Sequence, residues 1–335
     1  MASIKDVARL AGVSVMTASR VMNGNGSVSP VSCEKVRAAA IQLDYRPNLT
    51  ARSLRSKRTR LLGLLVPDIE NPTFAALAKY AEEEAEKRGY NVVLGNTWES
   101  AGREAEYYDI MRARQTDGIL VAPVSNTNGT LFGECPLPVV VLDRSFAAPV
   151  SLPSVVVDNG EVGRLAAEHL LEKGHRLFAC ITGPAHVDVF AERLKGFRQA
   201  LAAAGHELTM VMHVDVTGQI RHAVAAGEAL FASRPQTPLA LFCATDIIAL
   251  GAMKAAAGAG LRVPDDVSVV GVDDIPAGEL IFPALTTVRQ PIRDMAATAV
   301  AMLTGMLEGE DVSRERLFLR PELVPRESTT AFIGE

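Results

Sequence analysis

Val15, Met16, Thr17, Ser19 and Arg20 are spaced to do recognition chemistry, within the stretch SIKDVARLAGVSVMTASRVMN at residues 3–23. They offer a guanidinium, hydroxyls and apolar ends, a set suited to hydrogen bonds and methyl contacts on base edges. The elements that must position them are legible on either side. Ser3 opens an S-x-x-D pattern closed by Asp6, a weaker relative of the capping box, which starts a helix. Ile4, Val7, Ala8 and Ala11 then recur at helical spacing. Gly12 stops that helix, and Ser14 caps a second over residues 15–22 whose Ala18 and Val21 turn back toward a core. The pattern predicts a helix-turn-helix with its second helix facing outward. The competing reading is a pair of surface helices on an enzyme.

Charge separates the two. The chain has a formal net charge of -5, yet residues 1–60 hold eleven Lys and Arg against three acids, Asp6, Glu34 and Asp44. A basic N-terminal segment on an acidic body is the asymmetry expected where one end meets phosphate. A third helix is predicted from Ser29 as cap and Pro30 at the first position, with Val36, Ala40 and Leu43 closing a small core. The next segment, RPNLTARSLRSKRTR at residues 46–60, carries five Arg and one Lys around Leu54. Asn48 is positioned to cap about two turns of helix there, a length that is marginal alone in water and folds on docking to a polyanion. An apolar side chain on such a basic element can wedge between base steps. A plain charged linker is the alternative.

From Leu61 the pattern changes to alternating strands and helices. LLGLLVP, YNVVLGN, DGILVAP and PVVVLD read as strands, followed by SVVVD, LFACIT, LALFCAT and VSVVGVD, and intervening helices end at Gly89, Gly174, Gly205 and Gly260. That alternation predicts parallel sheets covered by helices on both faces. About 275 residues is large for one such sheet, so two similar lobes are expected.

Absences narrow the class. Neither a secretory signal nor a membrane-length apolar run occurs, which places the chain in the cytoplasm as an expectation, with no membrane partner. Cys33, Cys135, Cys180 and Cys243 form no paired motif, and the six histidines show no ligand spacing, so neither a metal nor a cofactor is expected. No P-loop and no G-x-S-x-G elbow is present, and the GAG at 258–260 follows a helix instead of a strand. Catalysis has no support.

SIKDVARLAGVSVMTASRVMN, YRPNLTARSLRS, LLGLLVPDIENPTF, DGILVAP, the VVDN and HLLEKGHR run, ERLKGF, ATDIIALGAMKA, VPDDVSVVGVDD and LTTVRQP occur in that order. With them the chain resembles, over essentially its whole length, the lac repressor/galactose repressor family of bacterial transcription regulators. The resemblance implies an N-terminal all-α helix-turn-helix DNA-binding domain at 1–46 and a hinge helix and linker at 47–60. An α/β core of two Rossmann-like lobes, similar to periplasmic sugar-binding proteins, follows at 61–335. Lobe 1 would hold about 61–158 and 290–319, and lobe 2 about 159–289 and 320–335.

The resemblance also implies a mechanism. A homodimer would bind double-stranded operator DNA, with Val15, Met16 and Arg20 at base-reading positions and Arg20 paired bidentately to guanine. Thr17, Ser19 and Asn23 would hold phosphate. Leu54, flanked by Arg52 and Arg55, would be the intercalating hinge leucine. The missing leucine-heptad tail favours a dimer over a tetramer. A small-molecule effector would bind between the lobes at the carboxyl ends of the strands. Those ends are Asp68–Phe74, Trp98, Asp143–Arg144, Val187–Arg193, Thr245–Asp246 and Asp273. Asp143, Arg193 and Asp273 match effector-contacting positions, with Thr245 and Phe74 beside them, and Phe74 and Trp98 as a candidate apolar wall. Asp246 reads better as structural, and His186 and Asp188 share the loop before Arg193. Thr245 stands where many members have Asn, and Val216 and Val272 where aromatics are common, so a small sugar or sugar-derived metabolite fits better than a stacked ring. Two other readings have discriminating features. A transporter's solute-binding protein needs export and no basic N-terminus, and a ligand-independent repressor shows no effector response.

Overall fold

The computed structural model describes residues 2–23, 28–45, 58–146, 150–215, 219–233, 235–312 and 316–332. They fall into two compact units, Met1–Thr59 and Arg60–Glu335.

In the first unit, α1 (Ile4–Ala11), α2 (Val15–Asn23) and α3 (Pro30–Gln42) enclose a core of Val7, Ala8, Ala11, Ala18, Val36, Ala39 and Ala40. The S-x-x-D pattern proves to be a complete capping box. Ser3 accepts from the Asp6 N–H, and the Asp6 carboxylate accepts from the Ser3 N–H at 3.0 Å. Gly12 ends α1 at φ 67, a left-handed conformation that costs glycine little. The Ser14 hydroxyl oxygen then accepts the Thr17 N–H at 3.0 Å and begins α2. Ser29 caps α3 with Pro30 behind it. Alanines at the contacts let three short helices approach closely. The predicted hinge helix, with Asn48, Arg52, Leu54 and Arg55, lies outside the described residues.

Among the described residues, the second unit holds two six-stranded sheets. The first runs β11 (Arg316–Leu319), β5 (Ser154–Val157), β4 (Val139–Asp143), β3 (Gly118–Val121), β1 (Leu61–Val66), β2 (Asn91–Asn96). The second runs β12 (Glu322–Val324), β10 (Thr286–Arg289), β9 (Val267–Asp273), β8 (Leu239–Cys243), β6 (Phe178–Thr182), β7 (Leu208–His213). Every pairing is parallel except β10 with β12. The strands carry near-continuous Val, Ile and Leu runs because helices cover both faces. These are α4 (Pro72–Lys87), α5 (Ala101–Ala113), α6 (Gly129–Gly133) and α12 (Ile292–Glu308) with the first sheet. With the second are α7 (Asn159–Glu172), α8 (Asp188–Ala203), α9 (Gln219–Ala232), α10 (Asp246–Gly258) and α11 (Pro276–Leu280).

The chain passes between the sheets after β5, after β10 and after β11. The second passage returns α12 to the first lobe, where it packs on α4 and on β3, β4 and β5. One apolar core joins Leu62, Leu64 and Leu142 of the first sheet through Val162 and Leu170 to Phe178, Phe242 and Val272 of the second.

Two glycines decide how α7 meets α8. A Cβ on Gly163 would strike the Arg193 carbonyl, and one on Gly196 would strike the Gly160 carbonyl. Their absence of side chains lets the helices touch backbone to backbone, which places Arg193 beside the start of α7. No helix among the described residues is long and apolar enough to cross a membrane.

Candidate functional site

On the first unit, the exposed face of α2 carries Val15, 44% accessible, and Met16, 65% accessible, with Arg20 also exposed. Ala18 on the opposite face is fully buried. Thr17 and Ser19 are half-buried, and the Thr17 hydroxyl lies 2.9 Å from that of Ser14. Asn23 closes the helix.

In the second unit the strand ends converge on a charged cluster between the sheets. Arg193, on the second turn of α8, donates through Nε to the Asn159 side-chain oxygen at 2.8 Å and through a terminal nitrogen to the Ala244 carbonyl at 2.7 Å. The same nitrogen stands 4.0 Å from the Asp273 carboxylate. Gln290, where the chain leaves β10, donates to Asp273 at 2.6 Å. From the first lobe, the Thr73 hydroxyl reaches toward Asp273 without a hydrogen bond of ordinary geometry. Asp143 ends β4 there and senses the charge of Arg193 across the gap. Its neighbour Arg144 forms a two-pronged ion pair with Glu99 at 2.8 and 2.9 Å and lies over the Phe74 ring at 5.9 Å.

Electrostatics follow from burial. Desolvation pushes the Asp143 carboxyl above its usual range, while Arg144 and Arg193 pull it back. Desolvation pushes Asp273 up to about 6 against Arg193, Gln290 and Thr73. Burial works against the charge on Arg144, yet Glu99, Asp143 and Glu104 together hold its pKa above the ordinary value. Backbone strain gathers at the same place. Trp98, Glu99, Asp143, Asp273 and Asp274 all have positive φ, at 52°, 51°, 60°, 118° and 59°. Such conformations cost a non-glycine residue about 1–3 kcal/mol each and cluster at ligand clamps. Buried polar atoms without a hydrogen-bond partner among the described residues gather there too: Thr73 Oγ1, Arg144 Nε and Gln290 Oε1. Each requires a partner in a satisfied interior.

A model of "Bacterial regulatory proteins, lacI family" matches residues 3–48, and one of "Periplasmic binding protein-like domain" matches residues 167–329. The ribose operon repressor of Halalkalibacterium halodurans is 38% identical over 332 residues, covering 98% of this chain and 97% of the relative. The chain belongs to the lacI family. A further relative, the HTH-type transcriptional repressor PurR of Photobacterium profundum, is 35% identical over 333 residues, with 98% of each covered. Among solved structures, the lac repressor dimer bound to operator and the anti-inducer ONPF superimposes with a TM-score of 0.87 at 28% identity, covering 98% of this chain and 99% of that one. The CelR–cellobiose complex does so with a TM-score of 0.74 at 32% identity, covering 98% and 100%.

Within this lacI-family chain, four sequence-selected residues, Phe74, Asp143, Arg193 and Asp273, come together and are buried. Thr245 stands one residue beyond the Ala244 carbonyl, and its hydroxyl oxygen caps α10 by accepting from Ile248 at 3.2 Å. Asp246 is structural, accepting from the Ile275 N–H at 2.9 Å and the Thr287 hydroxyl at 2.6 Å. Two expectations need correction. Trp98 forms no apolar wall with Phe74: its left-handed backbone turns the indole outward, 61% accessible, where Arg103 stacks at 4.0 Å. Val272 is fully buried in the apolar core, not at the cleft surface. His186 is exposed on the loop before α8, and Asp188 is exposed at the first residue of that helix. Val216 lies outside the described residues. Sequence reasoning missed Glu99, Asn159 and Gln290. Glu99 follows a strand end by three residues, and Gln290 sits in the LTTVRQP match, the only signals either carried.

Proposed function

We propose that the chain is a transcriptional repressor that grips operator DNA as a homodimer and changes its grip when a small sugar or sugar-derived metabolite enters the cleft between the lobes. The observation that carries this reading is one chain holding both an outward-facing α2 and a cleft with strained acids, a central guanidinium and orphaned polar atoms. Relatives named as repressors, and neighbours solved with operator or with cellobiose, support it. The protein performs no catalytic step, and such a regulator acts in the cytoplasm, beside the chromosome.

At the DNA, Arg20 pairs with guanine in the major groove while Val15 and Met16 supply apolar contact, as to a thymine methyl. Thr17, Ser19 and Asn23 hold phosphates, as do Arg52 and Arg55, and Leu54 wedges into the central step. In the cleft, Asp143, Arg193 and Asp273 bracket hydroxyls by charge-assisted hydrogen bonds, with Phe74 beneath and Thr245 at the rim. The ligand favours one arrangement of the lobes, and differential affinity for that arrangement shifts the DNA-competent population.

The test begins with selection of a duplex from a random pool by the purified protein, followed by anisotropy titrations with and without a sugar panel. The reading expects a near-palindromic site, affinity that falls steeply with salt, and a midpoint displaced by a panel member. Failure to enrich any duplex would defeat it.

A further inference from the structure

Arg144, just past the end of β4 in the first lobe, carries a guanidinium that could greet an anion, and Glu99 has captured it. Both side chains are nearly buried, at 8% and 12% accessible, and two hydrogen bonds join them fork to fork. The second guanidinium, on Arg193, answers to Asp273 at 4.0 Å and to the charge of Asp143. Glu99, Asp143 and Asp273 therefore outnumber Arg144 and Arg193, so an incoming phosphate or carboxylate meets an excess of negative charge.

The orphaned atoms sharpen this. Arg144 Nε offers a donor, Gln290 Oε1 an acceptor and Thr73 Oγ1 either, and all three are buried without a hydrogen-bond partner among the described residues. The carboxylates add further acceptors. A hydroxyl donates and accepts at once, so neighbouring hydroxyls satisfy this mixture, whereas an anionic oxygen only accepts and leaves Gln290 and the acids unmet. The Asp143 carboxylate stands 3.9 Å from Arg144 Nε, beyond hydrogen-bond distance.

We propose that Glu99, by neutralising Arg144, sets this cleft to take an uncharged polyhydroxy effector and to reject phosphorylated or carboxylated counterparts of the same compound. The proposal rests on the cleft being the effector site. Glu99 acts through Arg144 as a specificity-determining residue.

The test is a thermal-stability and calorimetric comparison of matched pairs on the full chain: ribose and ribose 5-phosphate, glucose with glucose 6-phosphate and gluconate, galactose and galacturonate. The expected result is stabilisation of the wild type by a neutral member and none by its anionic partner. Glu99→Gln should then improve binding of that anionic partner roughly tenfold relative to the neutral one. Adding Arg144→Gln to that variant should remove the gain, which a merely structural role for Glu99 would not do. Stabilisation by anions alone, or an unchanged preference in a folded Glu99→Gln variant, overturns the proposal. Should that variant not fold, the wild-type comparison still decides. No stabilisation by any member overturns the carbohydrate-effector reading beneath it, while a neutral hit with an unchanged preference overturns only the role of Glu99.

Discussion

Asp143 and Asp273 are counterparts in the two lobes. Each ends the strand in third position of its sheet, β4 in one and β9 in the other, and each adopts a positive φ. Each is buried and within the field of Arg193. The repeated fold thus presents one guanidinium to two opposed carboxylates, a closure that a ligand's hydroxyls can complete or interrupt.

The pKa of Asp273, raised to about 6 from 3.8, gives a signed pH dependence. The folded state binds the extra proton between those values, so this residue's contribution to stability is greatest at low pH and falls as pH rises through the window. In Asp273→Asn that loss disappears. Urea unfolding at pH 5 and pH 7.5 should show the wild type losing on the order of 1–2 kcal/mol more than the variant. His169, held near 4 by burial, runs in the opposite sense in both proteins and cancels in the comparison.

Arg193 joins Asn159, Ala244 and Asp273 in one side chain. Lysine keeps the charge but has one nitrogen and cannot span the set. Arg193→Lys should therefore weaken effector response by more than about tenfold while operator affinity without effector holds. Anisotropy titrations with the hit from the sugar panel measure both, and an unchanged response would remove Arg193 from the site.

Gly196 permits the backbone contact that seats Arg193. Gly196→Ala should cost about 1–3 kcal/mol by overpacking and, by spreading α7 from α8, reduce effector affinity as well. Equal affinity in a destabilised variant would show that the helix crossing serves stability alone.

On the DNA side, Arg20→Ala should lose about 1–3 kcal/mol of discrimination at one base pair in each half-site. Ser14→Ala, which removes the cap of α2, should cost about 1 kcal/mol of stability and weaken all sequences alike. Binding assays over single-substitution duplexes distinguish the two patterns, and a uniform loss in Arg20→Ala would place that side chain on phosphate.

Local chemistry made much of this molecule legible in the linear chain. Ser3, Gly12, Ser14, Ser29 and Pro30 act on backbone groups within a few residues, so helix boundaries in the first unit could be read directly from them. Strand runs such as LFACIT and LALFCAT were equally plain, because a sheet covered on both faces needs unbroken apolar side chains. Candidate cleft positions followed from strand ends.

Tertiary structure alone decided the rest. Which strand ends meet depends on β11 and β12 joining different sheets and on α12 returning to the first, and the β11 pairing, Arg316 with Ser154, joins segments far apart in sequence. Trp98 and Glu99 look alike as loop residues, yet two left-handed backbone steps send the indole to solvent and the carboxylate to Arg144. Sequence by itself determined the elements and the kind of chemistry, because those rest on neighbours along the chain. The partners of each charge were settled only in the folded chain, because burial and Coulomb energy depend on distances that the chain order does not contain.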